Sequence, residues 1–549
     1  MKGFFSGFLA IILLSAFAPV QDTIYVHWKT GNITKLPIAD IDSLNFSYDY
    51  STVNPDLNFK QDSVFNRIYS TLSVTGTQMP AGNPDVIAMD EGLTSFVRCI
   101  WNLNELSTDE AICSWADPFI PDLNFNRYTP ANELIKGMYL RLYFNIGVCN
   151  YFLEKTMSKT DANSVKQRAE ARFIRALNYF YLLDMFGNVP LITSTNTTNL
   201  HQVSRTELFT WIESELTGIE PDMYAVRQAP YPRADVVANW LLLSRLYLNA
   251  GVYTGTTRWN DAAVFSKKVI DSGYVLTADY KHLFMADNAG TTDASTVNKA
   301  AQEIILPVVA DGVTATTWGS TTFLVASTHS FDMAPWGSNQ GWSGNRARAT
   351  LIHKFYPSAV NASDISDLTT GVQGSTKDAR ALFNGANRTL NITDVSSFNQ
   401  GYSVTKFSNV RADGQPAKDA GFVDTDFPLL RVAEAYLNYA EAVIRSGNSV
   451  GGYSALTAIN ALRLRAGASV LLTADLQIVL DEKCREFFFE GQRRTDLIRF
   501  DKFGGNTDYS WDWKNGTANG TTFPVYLNVF PIPQAVIENN PALYQNVGY

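Results

Sequence analysis

Ten stretches of this chain repeat their apolar residues at the 3.6-residue period of an α-helix: 62–74, 91–103, 131–157, 162–186, 205–219, 233–250, 259–272, 429–447, 452–466 and 474–491. Each such helix has one apolar stripe that must be buried on a neighbour, so ten of them dictate a mainly α fold of packed helices. Most of the ten stop at Gly or Asn, the residues that close a helix in left-handed backbone. Between about 275 and 428 the pattern gives way to Gly, Asn, Thr, Ser and Asp, with short β-rich pieces at Glu303–Val309 and Thr321–Ala326. A loop-rich stretch of that length inside a compact chain is uncommon unless it carries function, so a binding surface is expected there.

The helical parts repeat loosely. Ala176-Leu-Asn-Tyr-Phe180 fits the Ala-x-x-x-Phe element of tetratricopeptide helices, and Ser244–Gly251 parallels Ala435–Ala442. The expected fold is therefore a degenerate tetratricopeptide-like helical-repeat scaffold, about 51–274 and 429–503, with one large loop-rich insertion at about 275–428. Residues 504–549 form a closing segment.

Charge narrows the function. The formal net charge is −9 and no stretch gathers the Lys and Arg that phosphate neutralisation requires, which argues against a nucleic-acid partner. Charged residues make up 18%, below the roughly 25% of an average soluble protein, while aromatics reach 13%. Such a surface suits uncharged, hydrogen-bonding ligands.

The five histidines, His27, His201, His282, His329 and His353, are scattered, without a His-Glu-x-x-His helix or a Cys-x-x-Cys pair, so neither metal nor cofactor is expected. A Gly-x-Ser-x-Gly elbow and a phosphate loop are missing, and Gly337, Gly341 and Gly344 are misplaced for a dinucleotide turn. Glu105, Asp109 and Glu110 resemble the paired acids of a glycosidase. Ser107-Thr-Asp-Glu110 also fits the capping box that opens a helix, which is the reading preferred. The run Glu482–Asp496 alternates sign at helical spacing and reads as scaffold laced with ion pairs. Cys99, Cys113, Cys149 and Cys484 are too few for a disulfide framework and read as buried thiols.

Residues 1–18 have the Lys2 and apolar run of a secretory signal peptide, so export is expected. Leu14-Ser15-Ala16 is what precedes the lipid-bearing cysteine of a bacterial lipoprotein, but the next residue is Phe17, which leaves a lipid anchor without its thiol. Residues 19–50 read as an atypical hairpin and connector, with strands on either side of Thr30-Gly31-Asn32.

Several segments together resemble the SusD/RagB family of outer-membrane glycan-binding lipoproteins. They are Arg168–Ile192, Leu430–Ala442, Ile459–Gly467, Glu490–Leu497 and the ending Phe530–Tyr549, with the likeness running from about Asn54 to Tyr549. The resemblance implies one such domain over 51–549, no catalysis, and capture of oligosaccharide for a SusC-like TonB-dependent outer-membrane transporter at the cell surface. Glycoside hydrolysis and peptide binding on a helical-repeat surface are the competing functions.

Helix position separates the tryptophans. Trp211, Trp240 and Trp259 lie in periodic helices and are expected in the core. Trp115, Trp318, Trp336 and Trp342 sit among Pro, Gly, Asn, Ser and Asp, where a large ring either stacks on a sugar face or pins its own long loop. With Arg98, which lies one helix earlier on the family-like segment Trp101–Ile112, these four make the expected recognition patch. An arc of rings suits the curve of a helical α-glucan better than a flat chain.

Overall fold

The computed structural model describes residues 59–549 apart from 83, 87–88, 197–199, 290–296, 358–370 and 374–375, together with two N-terminal strands. Contacts divide the chain into two compact units, Met1–Phe59 and Lys60–Tyr549. In the first, Thr23–His27 pairs antiparallel with Ile33–Pro37, as the hairpin reading expects. The signal peptide, Phe17 and Trp28 lie outside the described residues.

The second unit is built from helix pairs. Glu133–Thr156 packs on Ala162–Phe186, which packs on Arg205–Ile219. Farther on, Val236–Leu248, Trp259–Ile270, Val432–Ser446 and Ala455–Arg465 each pack on the next. The insertion thus separates two adjacent helices of one stack. Its ends are tied by an antiparallel strand pair, Ile304–Val308 with Phe427–Arg431, every residue of which is buried.

The insertion is less irregular than its composition suggests. Thr321–Ala326, expected as a β-rich piece, lies in the helix Ser320–Thr328. All nine of its residues are buried, so it lacks the polar face that would have revealed helical periodicity. A second helix, Ala349–Phe355, follows the strand Asn345–Ala347, which pairs antiparallel with Ala111–Cys113.

Two further expectations are corrected. No helix starts at Ser107: the segment turns into the strand Ala111–Cys113, and Asp109 instead receives two hydrogen bonds from Arg493, at 2.8 and 2.7 Å. The capping box is at Ser204 and Glu207, which open the helix Arg205–Ile219. Trp211, Trp240 and Trp259 are only half-buried, each under a cation: Arg175 at 5.3 Å, Lys268 at 5.2 Å and Arg445 at 5.0 Å. The stems of those long side chains complete the cover that the core does not supply.

The charged run does act as scaffold. Glu486 lies within 2.6 Å of Arg431, pairs with Arg465 and reaches Arg380 at 3.2 Å, all through buried side chains. All four cysteines are free and buried.

Candidate functional site

The helix Ser320–Thr328 is the axis around which the expected patch is arranged. Its start is locked to the helix Phe96–Glu105: Ser320 N–H donates to Oγ of Ser95 at 2.8 Å, and Gly319 lies so close that a Cβ there would overlap the Ser95 side chain. One residue earlier, Glu91 accepts from the Trp318 N–H at 3.3 Å and from the hydroxyls of Thr75 and Thr317. The Trp318 backbone is thereby fixed while the residue stays 36% exposed.

Trp318 does not stand alone. Its ring lies 4.4 Å from that of Phe422, and 5.9 Å from that of Trp342 with 51° between the planes. Trp342 is held by its N–H to the Ala326 carbonyl at 2.8 Å and by its indole Nε1 to Oε1 of Gln340 at 3.1 Å. Gln340 donates in turn to Asn339 at 2.7 Å, and the Asn339 N–H to the Ala420 carbonyl at 2.8 Å. The loop carrying Trp342 and the loop carrying Phe422 are thus clasped together beside the rings. The outcome is a strip of three aromatic rings, partly open to solvent, with amides beside it. Phe331, 74% exposed, continues the apolar surface across Gly341.

Trp115 and Arg98 meet through Phe323, a fully buried ring of the same helix. The Trp115 ring approaches Phe323 edge-on at 6.1 Å, and the Arg98 guanidinium lies 4.8 Å over the same ring. Nε of Arg98 has no hydrogen-bond partner among the described residues, and burial holds its pKa below the usual arginine value. Trp115 is half-buried and pressed against Gly344, whose φ of +103° lets the chain pass beneath the indole.

Trp336 has a different role. It is 6% exposed, stacked on His329 at 5.2 Å and 26°, flanked by Phe331 at 5.8 Å, and bonded through Nε1 to the Gln340 carbonyl at 3.2 Å. Burial lowers the His329 pKa to about 4, so the stack is uncharged near neutrality. Trp336 anchors the loop whose far end presents Trp342.

The structure therefore brings Trp318 and Trp342 together, joins Trp115 and Arg98 separately through the buried Phe323, and leaves Trp336 behind the surface. Sequence reasoning missed Phe422, Phe331 and Gln340. The signal was present: Phe422 follows Asp-Ala-Gly, the same kind of setting that singled out the tryptophans, but the criterion was applied to indoles alone.

The three carboxylates weighed as glycosidase acids are buried. Burial pushes Asp109 up, yet the Arg493 guanidinium outweighs it and holds the carboxyl at about 2. Burial raises both Glu105 and Glu110, which share a hydrogen bond. Among the described residues no group of His, Cys, Asp and Glu could hold a metal ion, and no helix is long and apolar enough to cross a membrane.

Two family models match the chain: SusD family over residues 326–549, and "Starch-binding associating with outer membrane" over residues 93–248. Starch-binding protein SusD of Bacteroides thetaiotaomicron is 41% identical over 536 residues, which cover 91% of this chain and 95% of that protein. Among solved structures, a SusD-like protein from Bacteroides fragilis superposes with a TM-score of 0.64 at 19% identity, covering 92% of this chain and 99% of that one. Surface glycan-binding protein A from Bacteroides thetaiotaomicron, solved with laminarihexaose, gives 0.66 at 18% identity, covering 88% and 98%. At those identities the two structures speak for the fold.

Proposed function

The chain belongs to the SusD family, and on that footing we propose that it is a surface glycan-binding protein that captures oligosaccharide on the Phe422–Trp318–Trp342 strip. The observation that carries this reading is the exposure of two clasped indoles whose backbones are fixed from beneath. A sugar ring offers one apolar C–H face and a rim of hydroxyls; the rings cover the face, and Gln340 and Asn339 lie within reach of the rim.

The 51° between the Trp318 and Trp342 planes favours a chain that curves from one residue to the next, which supports an α-glucan as ligand. The starch-binding relative, 41% identical, supports the same choice. Binding without hydrolysis is favoured because Glu105, Asp109 and Glu110, the acids that resemble a glycosidase pair, are enclosed, Asp109 paired with Arg493 and the two glutamates with each other. Family membership adds the cell surface of the outer membrane as location and a SusC-like TonB-dependent barrel as receiver of the ligand.

The test combines retention on glycan affinity gels, calorimetry and reducing-sugar release. Each of Trp318→Ala and Trp342→Ala is expected to weaken malto-oligosaccharide binding about threefold to tenfold or more with an unchanged melting temperature, since a stacked ring contributes about 0.5–1.5 kcal/mol beyond area burial. Undiminished affinity in both variants rejects the strip. Sugar release abolished by removing one carboxylate makes the protein a hydrolase, and retention of oligopeptides but no glycan makes it a peptide binder.

A further inference from the structure

The three rings of the strip come from three separate segments. Trp318 precedes the helix Ser320–Thr328, Trp342 lies in the loop begun by Trp336, and Phe422 ends the stretch 411–422, which holds no helix or strand and whose residues 418–420 are exposed. A stretch with so little burial of its own does not hold a ring at a fixed distance, so the constraint on Phe422 comes from what its backbone is tied to.

Asn409 supplies the tie. Its own segment is strapped to the scaffold, since the Ser408 N–H donates to the Phe284 carbonyl at 3.0 Å and the Val410 carbonyl accepts from the Ala286 N–H at 2.9 Å. From there Nδ2 of Asn409 donates to the carbonyls of Gly337 at 2.9 Å and Asp419 at 2.8 Å, while Oδ1 accepts from the Asp424 N–H at 2.9 Å. Its backbone N–H adds a bond to the Trp336 carbonyl at 2.8 Å. One side-chain amide thus commits both donors and its oxygen to the two loops that carry Trp342 and Phe422. Turned over, its oxygen would face two carbonyls, so the partners fix its orientation. The approach is close enough to require glycine: at Gly337, where φ is +81°, a Cβ would overlap the Asn409 carbonyl.

The order passes from Asn409 to the ring. Asp419 and Asp424, whose backbones it holds, bracket Phe422. Between them, Oδ1 of Asp419 accepts from the N–H groups of Gly421 at 2.6 Å and Phe422 at 2.9 Å, and the Val423 N–H donates to Oγ1 of Thr322 at 3.3 Å. Oγ of Ser338 donates to the Ala420 carbonyl at 2.7 Å, a second stitch between the same two loops. The outcome is the Phe422 ring 4.4 Å from that of Trp318, with 43° between the planes. Asn409 itself is 1% exposed and is screened from any ligand on the strip.

We propose that Asn409 is a positioning residue that acts through Phe422, setting where the third ring stands beside Trp318 and with it the affinity for a chain long enough to reach that ring. The positional claim stands on these contacts; its consequence for the ligand rests on the glycan-binding reading.

The test separates the two. In the sugar-free full chain, the indole ¹⁵N–H signal of Trp318, assigned with Trp318→Phe, senses the ring current of Phe422. It is expected to move in Asn409→Ala in the direction it moves in Phe422→Ala, with the other indole signals in place. Maltoheptaose titrations are expected to show each variant binding about threefold to tenfold more weakly. Asn409→Ala/Phe422→Ala is expected to bind within about twofold of Phe422→Ala alone, because two residues acting through one ring do not add. Asn409→Asp keeps the acceptor for Asp424 and loses both donors; it is expected to move the Trp318 signal in the same way and serves as the reading if Asn409→Ala does not fold. A Trp318 signal that stays still in the Asn409 variants overturns the proposal, as do losses that multiply in the double variant. Displacement of every indole signal, or failure of both Asn409 variants to fold, makes Asn409 a general structural residue and overturns it too. A Trp318 signal that moves as expected while maltoheptaose affinity stays unchanged in every variant keeps the positioning role and rejects the strip.

Discussion

Trp318 and Trp336 stand in the same Gly- and Ser-rich insertion, and the structure uses them in opposite ways. Trp318 is fixed through its backbone and shows its ring; Trp336 is fixed through its ring and hides it. Sequence context identified both as loop aromatics but could not separate them, because the partner that buries Trp336 is His329, on the far end of a helix read as a β-rich piece. The variants should therefore diverge. Trp336→Ala is expected to cost about 3–5 kcal/mol of stability as the stack collapses, visible as a lowered denaturation midpoint. Affinity measured well below the new melting temperature should fall far less than in Trp318→Ala. Gly344 makes a related case. A Cβ there would overlap Nε1 of Trp115 on backbone at φ +103°, so Gly344→Ala should displace that indole and destabilise the chain by about 1–3 kcal/mol. A change in Trp115 fluorescence checks it, and an unaltered spectrum counts against the contact.

Whole helices were legible where the sequence carries both the period and the caps. The segments 162–186 and 205–219 match the helices Ala162–Phe186 and Arg205–Ile219 residue for residue, since their amphipathic period and their caps, Asp161 and Ser204, agree. Legibility failed for Ser320–Thr328, which has no polar face, and for Ser107, whose neighbours are claimed by the distant Arg493. The alternating run Glu482–Asp496 was read as scaffold, but its partners were not readable, because Arg431, Arg465 and Arg380 come from three other segments. The energetics follow from burial. Opposing burial, these three guanidiniums hold the Glu486 carboxyl well below the usual carboxylate range. Glu486→Gln leaves them facing too little negative charge in a buried site, and is expected to cost about 3–5 kcal/mol in urea unfolding. Glu538→Gln, on the exposed helix Gln534–Asn539, is expected to stay within about 0.5 kcal/mol.

At the scale of the molecule, the join between insertion and scaffold carries a pH signature. Asp426 precedes the strand Phe427–Arg431 and accepts from the Ala310 N–H at 2.8 Å and from the Tyr231 hydroxyl. Burial, stronger than both hydrogen bonds, raises its pKa from 3.8 to about 7. A carboxyl whose pKa is higher folded than unfolded binds more protons in the native state. Its contribution to stability is therefore complete below about pH 4 and is lost as pH rises through 7. Glu482 works in the other direction. Arg380, Arg485 and Arg463 overcome its burial and hold it at about 2, so its contribution is present above about pH 4 and disappears on acidification toward pH 2. Stability should therefore peak in mild acid, between these two windows. Asp426→Asn removes the titrating proton while its amide oxygen still accepts from Ala310. Three pKa units correspond to at most about 4 kcal/mol, so the variant is expected to be more stable than the native chain by about 1–4 kcal/mol at pH 8, with the order reversed or equal at pH 4. Parallel pH profiles of the melting temperature for the two proteins would show that Asp426 is ionised throughout and that the join is held by its hydrogen bonds alone.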